Sequence, residues 1–232
     1  MGMPMKQTGA ATDWEEIDRW EGGVGWIAHP DERMQRASHA LVVDGDVWVV
    51  DPVDADGVDD LFAEFGEVAG VVVLLDRHTR DAAAIARRHG VSVWVPDALS
   101  GVADGLNAPV AQFHRDLADT GYAAHEVVDT VGWHEVALYG EDTDVLVVAD
   151  ALGTVDYFRT ADERLGVHPL LRVLPPRKLA RLDPSRILVG HGEGVHENAP
   201  TVLRDAVQGA RAKIPQLYWQ TAKSFLFGQV PN

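Results

Sequence analysis

Residues 71–96 read VVVLLDRHTRDAAAIARRHGVSVWVP. The run Val71-Val72-Val73-Leu74-Leu75 is uninterrupted aliphatic and largely β-branched, the pattern of a strand buried on both faces. Asp81 to His89 is rich in Ala and Arg and predicts a helix, with Gly90 as its C-terminal stop. Val91 to Val95 predicts a further strand, closed by Pro96. Between the first strand and the helix lies Asp76-Arg77-His78-Thr79-Arg80-Asp81. Segments that leave the C-terminal end of a strand for a helix N-terminus are where α/β proteins place ligands. Asp76 and His78 are two apart, so in extended chain they point the same way and can hold a metal or form an Asp–His pair. A structural reading competes: Asp81 caps the helix and Arg80 pairs with it.

Outward from this stretch the elements alternate. Gly25 to His29, His39 to Val43 and Asp46 to Asp51 predict strands, the last two joined by the hairpin signal Asp44-Gly45. Val58 to Phe65 predicts a short helix. Asp97 to Leu117 is poorly patterned. Strands resume at Ala123 to Val128, Trp133 to Tyr139, Asp144 to Val148 and Ile187 to Val189. Leu170 to Arg181 predicts a helix, with Pro175-Pro176 at its start or in a kink. Ala199 to Ala212 predicts another, with Pro200 in the first turn. Tyr218, Trp219, Phe225 and Phe227 predict a last helix that docks on the core or on a second subunit. Residues 1–13 read as a loosely attached tail and residues 14–232 as a single domain. This is the layout of two βα-rich halves around one layered core.

Composition bounds what such a domain does. The chain has 232 residues, is 46% hydrophobic and 24% charged, and carries a formal net charge of -16. That is a globular profile. Its only lysines are Lys6, Lys178, Lys213 and Lys223, and no Lys/Arg cluster interrupts the acidic surface. Such a surface repels nucleic acid and anionic membrane. An acidic, Lys-poor surface resembles that of proteins from salt-loving organisms; an acidic cytosolic protein has the same look. With no cysteine, thiolate metal sites, disulfides and a Cys nucleophile are excluded, and any metal must use His, Asp or Glu. The first twelve residues hold no apolar signal-peptide core, and no run approaches the ~18 apolar residues of a membrane span. The chain therefore reads as cytoplasmic. It contains no Gly-x-Ser-x-Gly and no Walker loop, which argues against serine-hydrolase and P-loop chemistry.

Two more constellations accompany the 76–81 loop. Val145-Leu146-Val147-Val148-Ala149-Asp150 ends an apolar strand on a carboxylate, which forms a turn or ligates a metal. Ile187-Leu188-Val189-Gly190-His191-Gly192 ends another on a His between glycines, which permit close backbone approach. His29, His39, His89, His114, His125, His168 and His196 lack partners at a recognisable spacing and read as surface or structural groups; His196 is nearest His191 in sequence.

Taken in this order, the three constellations resemble the metallo-β-lactamase superfamily, over about Gly22 to Ala212. In that family a strand leads into a His-x-His-x-Asp-His loop and a helix, a third His follows in a Gly-His segment, an Asp ends a later strand and bridges two metals, and a last His sits in Gly-His-Gly. The hairpin strand Val47-Trp48-Val49-Val50-Asp51 also fits. The resemblance implies a four-layer αββα sandwich of α/β (α+β) class. Laid on the family loop, the first His becomes Asp76, the second is His78, the loop Asp becomes Arg80 and the final His becomes Asp81. Asp150 and His191 stand in the bridging-Asp and last-His positions. The third His falls at Gly132-Trp133-His134, on Trp133 or, with a shifted gap, on His134.

The implied metal set is Asp76, His78, His134, Asp150 and His191, suited to Zn, Mn or Fe. Asp76, Arg80 and Asp81 are the implied catalytic groups, with Arg80 binding a substrate anion or stabilising negative charge. Two functions follow. One is a metal-dependent hydrolase with a rearranged mononuclear site, acting on an ester, thioester, amide or phosphoester. The other is a non-catalytic protein in which Arg80 replaces the ion and the pocket is structural or binds a small molecule. A di-iron redox role fits less well, because the loop has lost too many ligands. The expected partner is a small-molecule substrate or ligand; a homodimer through the aromatic C-terminal segment is an equal alternative to its packing on the core.

Overall fold

In the computed structural model, residues 3–227 are described. Thirteen strands and five α-helices follow one another: β1 Glu15–Trp20, β2 Gly23–Ile27, β3 Ala37–Val43, β4 Asp46–Val50, α1 Val58–Ala63, β5 Glu67–Val72, α2 Ala82–His89, β6 Val93–Pro96, α3 Ser100–Ala103, β7 Val110–Phe113, β8 Tyr122–Thr130, β9 Trp133–Gly140, β10 Val145–Val148, β11 Leu152–Gly153, β12 Gly166–Val167, β13 Arg186–Val189, α4 Ala199–Gly209 and α5 Ile214–Phe227. β1 to β7 form one sheet in chain order, antiparallel through β4 and parallel from β4 to β7. A second sheet runs β13-β10-β9-β8, with β10 and β13 parallel.

Three apolar layers follow from the alternation of side chains along these strands. Val47, Val49, Val71 and Val73 face α1 and α2, packing with Leu61, Phe62 and Ile85. Trp48, Val50, Val72 and Leu74 point the other way and meet Leu138, Val145, Val147 and Leu188 of the second sheet. Leu146, Val148, Ile187 and Val189 occupy that sheet's far face against Leu203, Ala206 and Val207 of α4. The result is the helix–sheet–sheet–helix sandwich. Asp44 and Gly45, with φ of 53° and 88°, make the hairpin turn between β3 and β4, as their residue types require.

The departures from the sequence reading have local causes. The helix expected over Leu170–Arg181 is two 3-10 turns, Pro169–Leu171 and Leu179–Arg181. Pro175-Pro176 supplies no N–H to carry a helix between them. The N-terminal residues are tied down where a loose tail was expected: Arg33 and Met34 donate backbone N–H groups to the carbonyls of Pro4 and Met5, and Ala11 bridges Ala55. β1, a polar edge strand, and β7, inside the poorly patterned 97–117 segment, carry no strong apolar alternation to announce them. Leu217 of α5 is buried while Tyr218 and Trp219 are exposed; the side chains of Phe225 and Phe227 lie outside the described residues. Among the described residues no helix is long and apolar enough to cross a membrane.

Candidate metal centre

Three strand ends meet at one place. After β5 the chain runs extended, with Leu74 N–H donating to Asp51 Oδ1 at 2.9 Å, then turns so that His78 N–H donates to the Leu75 carbonyl at 2.9 Å. β10 delivers Asp150 and β13 delivers His191. Gly190 admits no side chain, since a Cβ there would lie 2.5 Å from the Ala149 carbonyl oxygen. That close approach sets His191 beside Asp150. His78, Asp150 and His191 are all buried, and one donor atom from each lies within 4.8 Å of the others.

Two imidazoles converge on one carboxylate oxygen. Asp150 Oδ1 is 3.1 Å from His78 Nε2 and 2.8 Å from His191 Nε2, within reach of a proton or an ion shared among the three. Both imidazoles are engaged through their other nitrogen. His78 Nδ1 is 3.2 Å from Asp51 Oδ2, and His191 Nδ1 is 2.7 Å from the Met34 carbonyl oxygen. A carbonyl only accepts, so His191 Nδ1 carries the proton and the neutral ring presents a lone pair at Nε2. Carboxylate and carbonyl partners on the far nitrogen are how metal-ligating histidines are oriented. The donor set therefore fits a divalent ion of the zinc class.

Charge is concentrated here. Burial and the charge of Arg80 disfavour a protonated His78, but Asp150 and the bonds to Asp150 and Asp51 prevail and lift it above the ordinary histidine value. Burial outweighs Asp150 at His191 and lowers it. Asp150 itself, despite burial, is held far below the carboxylate range by the two imidazoles. Glu135, fully buried on β9, is pushed up to about 7 by burial and by the Asp150 charge. Its Oε1 accepts the backbone N–H groups of Asp150 and Ala151 at 2.9 and 2.8 Å, and its Oε2 accepts the Trp133 indole N–H at 3.0 Å.

The other candidates from the sequence are placed differently. Arg80 is half-buried, with φ of 37°. It donates to the carbonyls of Ala37, Asp51 and Gly190 at 2.6, 2.7 and 3.2 Å and lies 3.3 Å from His78 Nε2. It pairs with neither Asp81 nor Asp150. Asp81 stands before α2 without capping it and accepts the Asp54 N–H at 2.9 Å, so it faces away from the centre. Asp76 and His134 engage each other instead of joining the trio. Asp76 N–H donates to the His134 carbonyl at 3.1 Å and His134 N–H to Asp76 Oδ2 at 2.9 Å, while the His134 ring faces Asp129 at 3.2 Å. Strand-like pairing of the 75–76 segment with β9 sets these two side chains against each other, leaving Asp76 Oδ1 buried without a hydrogen-bond partner. Trp133, the alternative to His134, contributes a ring wall. His196 binds the Asp18 carboxylate at 2.6 Å, away from the trio.

Sequence reasoning passed over three participants. Arg77 bonds Asp150 Oδ2 at 3.3 Å and lies over the Trp133 ring at 4.4 Å. Phe158 stacks on His191 at 5.4 Å, and His168 packs edge-on against Trp133 at 4.7 Å.

No family model matches this chain, and no curated protein matches it. Solved structures do. The DIM-1 metallo-β-lactamase exposed to ceftazidime aligns over 87% of this chain and 100% of its own, with a TM-score of 0.61 and 12% identity. A metallo-β-lactamase from Hirschia baltica aligns over 85% and 97%, with a TM-score of 0.59 and 10% identity. One from Pontibacter korlensis aligns over 83% and 92%, with a TM-score of 0.53 and 12% identity. At such identities the likeness establishes the fold: the chain has the metallo-β-lactamase architecture, as its loop-and-strand pattern implies. It does not assign an activity.

Proposed function

We propose that the chain is a metal-dependent hydrolase with a mononuclear centre formed by His78 Nε2, Asp150 Oδ1 and His191 Nε2. The observation that carries this reading is the pair of buried imidazoles whose Nδ1 atoms face Asp51 and the Met34 carbonyl while both Nε2 atoms converge on Asp150 Oδ1, with Arg80 Nη2 also 3.3 Å from that of His78. Three protein ligands with one position left over is the arrangement of catalytic rather than structural zinc sites. A divalent ion there supplies Lewis acidity for hydrolysis of an ester, thioester, amide or phosphoester. Arg77, partly exposed beside Asp150, offers its guanidinium to a substrate anion. Glu135 holds Asp150 in place through the backbone.

A second reading rests on Arg80, whose guanidinium reaches His78 Nε2 at 3.3 Å. In that reading the cation stands in for the ion and the protein is not a catalyst. The position of Arg80 weighs against it, because the guanidinium donates to three carbonyls and makes no ion pair with Asp150.

Elemental analysis separates the two. Protein purified without chelator or nickel resin and titrated with zinc and manganese should retain about one ion per chain, lost in Asp150→Asn. Metal-loaded protein should then hydrolyse at least one member of an ester, thioester and phosphoester panel. No retention at any excess of either ion would overturn the mononuclear centre and leave Arg80 as its replacement.

A further inference from the structure

We propose that Lys6 is a substrate-contacting residue of the proposed centre: a strap of residues 4–7 carries its ammonium to the rim, where it binds an anionic group of the substrate, a phosphoester or a carboxylate. The inference rests on the hydrolase reading for its catalytic meaning, and it narrows that reading to substrates that carry negative charge.

The strap is built into the layer that bears His191. On the inner side of the 32–37 segment, Ala37 N–H donates to the Gly190 carbonyl at 3.0 Å, Gly192 N–H donates to the Gln35 carbonyl at 2.9 Å, and Arg36 bridges His191. On its outer side, Arg33 and Met34 donate to the carbonyls of Pro4 and Met5 at 2.9 and 3.2 Å. Gln7 N–H donates to Glu32 Oε2 at 2.9 Å, and the Arg36 guanidinium donates to the Gln7 carbonyl at 3.0 Å and to both Glu32 oxygens at 2.7 and 2.8 Å. Glu32 is fully buried, so salt weakens this ion pair little. The residues on both sides of Lys6 are therefore fixed, with only the 34–37 segment between the strap and His191.

From this anchorage the Lys6 side chain turns towards the centre. Partial desolvation lowers its pKa; Asp150 opposes this, ahead of Arg80 and Arg36, which assist, and of Glu32, which opposes. Asp150 thus acts on the ammonium more strongly than Glu32 does, although Glu32 is the carboxylate that holds the strap.

The other cations nearby are committed. Arg36 holds Glu32 and the Gln7 carbonyl. Arg80 donates to three carbonyls, and Arg77 to Asp150 and the Gly132 carbonyl. Among the described residues Lys6 makes no hydrogen bond and no ion pair, and it stays open to solvent. It is one of four lysines in a chain of net charge -16. A lysine ammonium is a point charge with three donors on a flexible stem, able to follow a phosphoryl or carboxylate oxygen. An anion that reaches the centre meets these open donors without first breaking a bond of the protein.

Isothermal titration of the full chain, stripped of metal by chelator, with phenylphosphonate, phenylacetate and neutral benzamide tests this. Saturable one-to-one binding of at least one anion, at least tenfold tighter than benzamide, is expected, and the tighter anion identifies the substrate's charged group. Lys6→Gln should weaken that binding at least fivefold with an unchanged melting temperature, and Lys6→Arg should restore most of it. Lys178→Gln, at an exposed lysine just before the second 3-10 turn, should change nothing. No saturable binding of either anion, equal binding by Lys6→Gln, or an equal loss in Lys178→Gln overturns the proposal. The titration uses metal-free protein, so failure of the metal centre shows separately, as no retained zinc with anion binding intact.

Discussion

The Nδ1 atom of His191 lies 2.7 Å from the carbonyl oxygen of Met34, a residue 157 positions away in the chain. That bond fixes which nitrogen faces Asp150, and it ties the ligand set to the loop between β2 and β3. Replacing His191 with Ala removes a proposed ligand and leaves a buried carbonyl without a donor, at a cost of ~1–3 kcal/mol. Excess zinc should raise the melting temperature of the wild type, since a ligand for the native state stabilises by mass action. His191→Ala should melt lower and show no zinc-dependent rise. A rise of equal size in the variant would remove His191 from the centre.

Arg80 places a permanent cation 3.3 Å from a proposed ligand atom, so it opposes the binding of a second positive charge. Arg80→Met is expected to tighten zinc binding at least tenfold, about 1.4 kcal/mol. The same change strips donors from the carbonyls of Ala37, Asp51 and Gly190. The metal-free variant should therefore unfold at lower denaturant than the wild type, by several kcal/mol. Competition titration against a chelating dye and urea denaturation measure the two effects separately. Weaker zinc binding in the variant would make Arg80 a support of the centre rather than its rival.

Local pattern announced most elements and the three residues that cluster beyond the strand ends, and little else. His78, Asp150 and His191 were legible as candidates because each follows an apolar strand, and β5, β10 and β13 bring them together. Asp76 and His134 have the right chemistry but stand outside the cluster, set against each other by backbone pairing between the 75–76 segment and β9 that no spacing discloses. Asp81 and Arg80 diverge because Arg80 adopts a positive φ, a turn that its residue type does not signal. The Met34 carbonyl and the buried Glu135 act through backbone groups, and backbone groups leave no trace in a sequence pattern.

Arg172 is fully buried and donates to both oxygens of Glu163, at 3.2 and 2.8 Å, and to the carbonyls of Val167, Phe158 and Ala210. It thereby joins the loop bearing Phe158, which stacks on His191, to the end of α4. Arg172→Leu leaves Glu163 charged without its partner and is expected to lower stability by ~3–5 kcal/mol. Adding Glu163→Gln should recover part of that loss, because the orphaned charge is removed. Urea unfolding of the single and double variants decides it: additive losses would mean that the pair is not coupled.

His168 carries the clearest pH dependence outside the ligand set. Its ring is packed by Trp133, Tyr157 and Phe158. Burial lowers its pKa to about 4, assisted by the charges of Arg77 and His191 and opposed by Asp150. The folded protein thus keeps this ring neutral where the unfolded chain, with an ordinary value near 6.5, binds a proton. Its contribution is fully present above pH ~6.5 and is lost as pH falls toward about 4. The loss is on the order of 2–3 kcal/mol at the acid end. His168→Phe keeps a ring against Trp133 and cannot ionise, so its stability should fall less steeply across that window. It should also start lower at pH 7, by about 1 kcal/mol, because the Leu170 N–H loses its acceptor. Urea unfolding at half-unit steps from pH 7 to 4 gives both curves. Parallel curves would place the acid sensitivity at other groups, such as the buried His39, whose pKa is also lowered by burial.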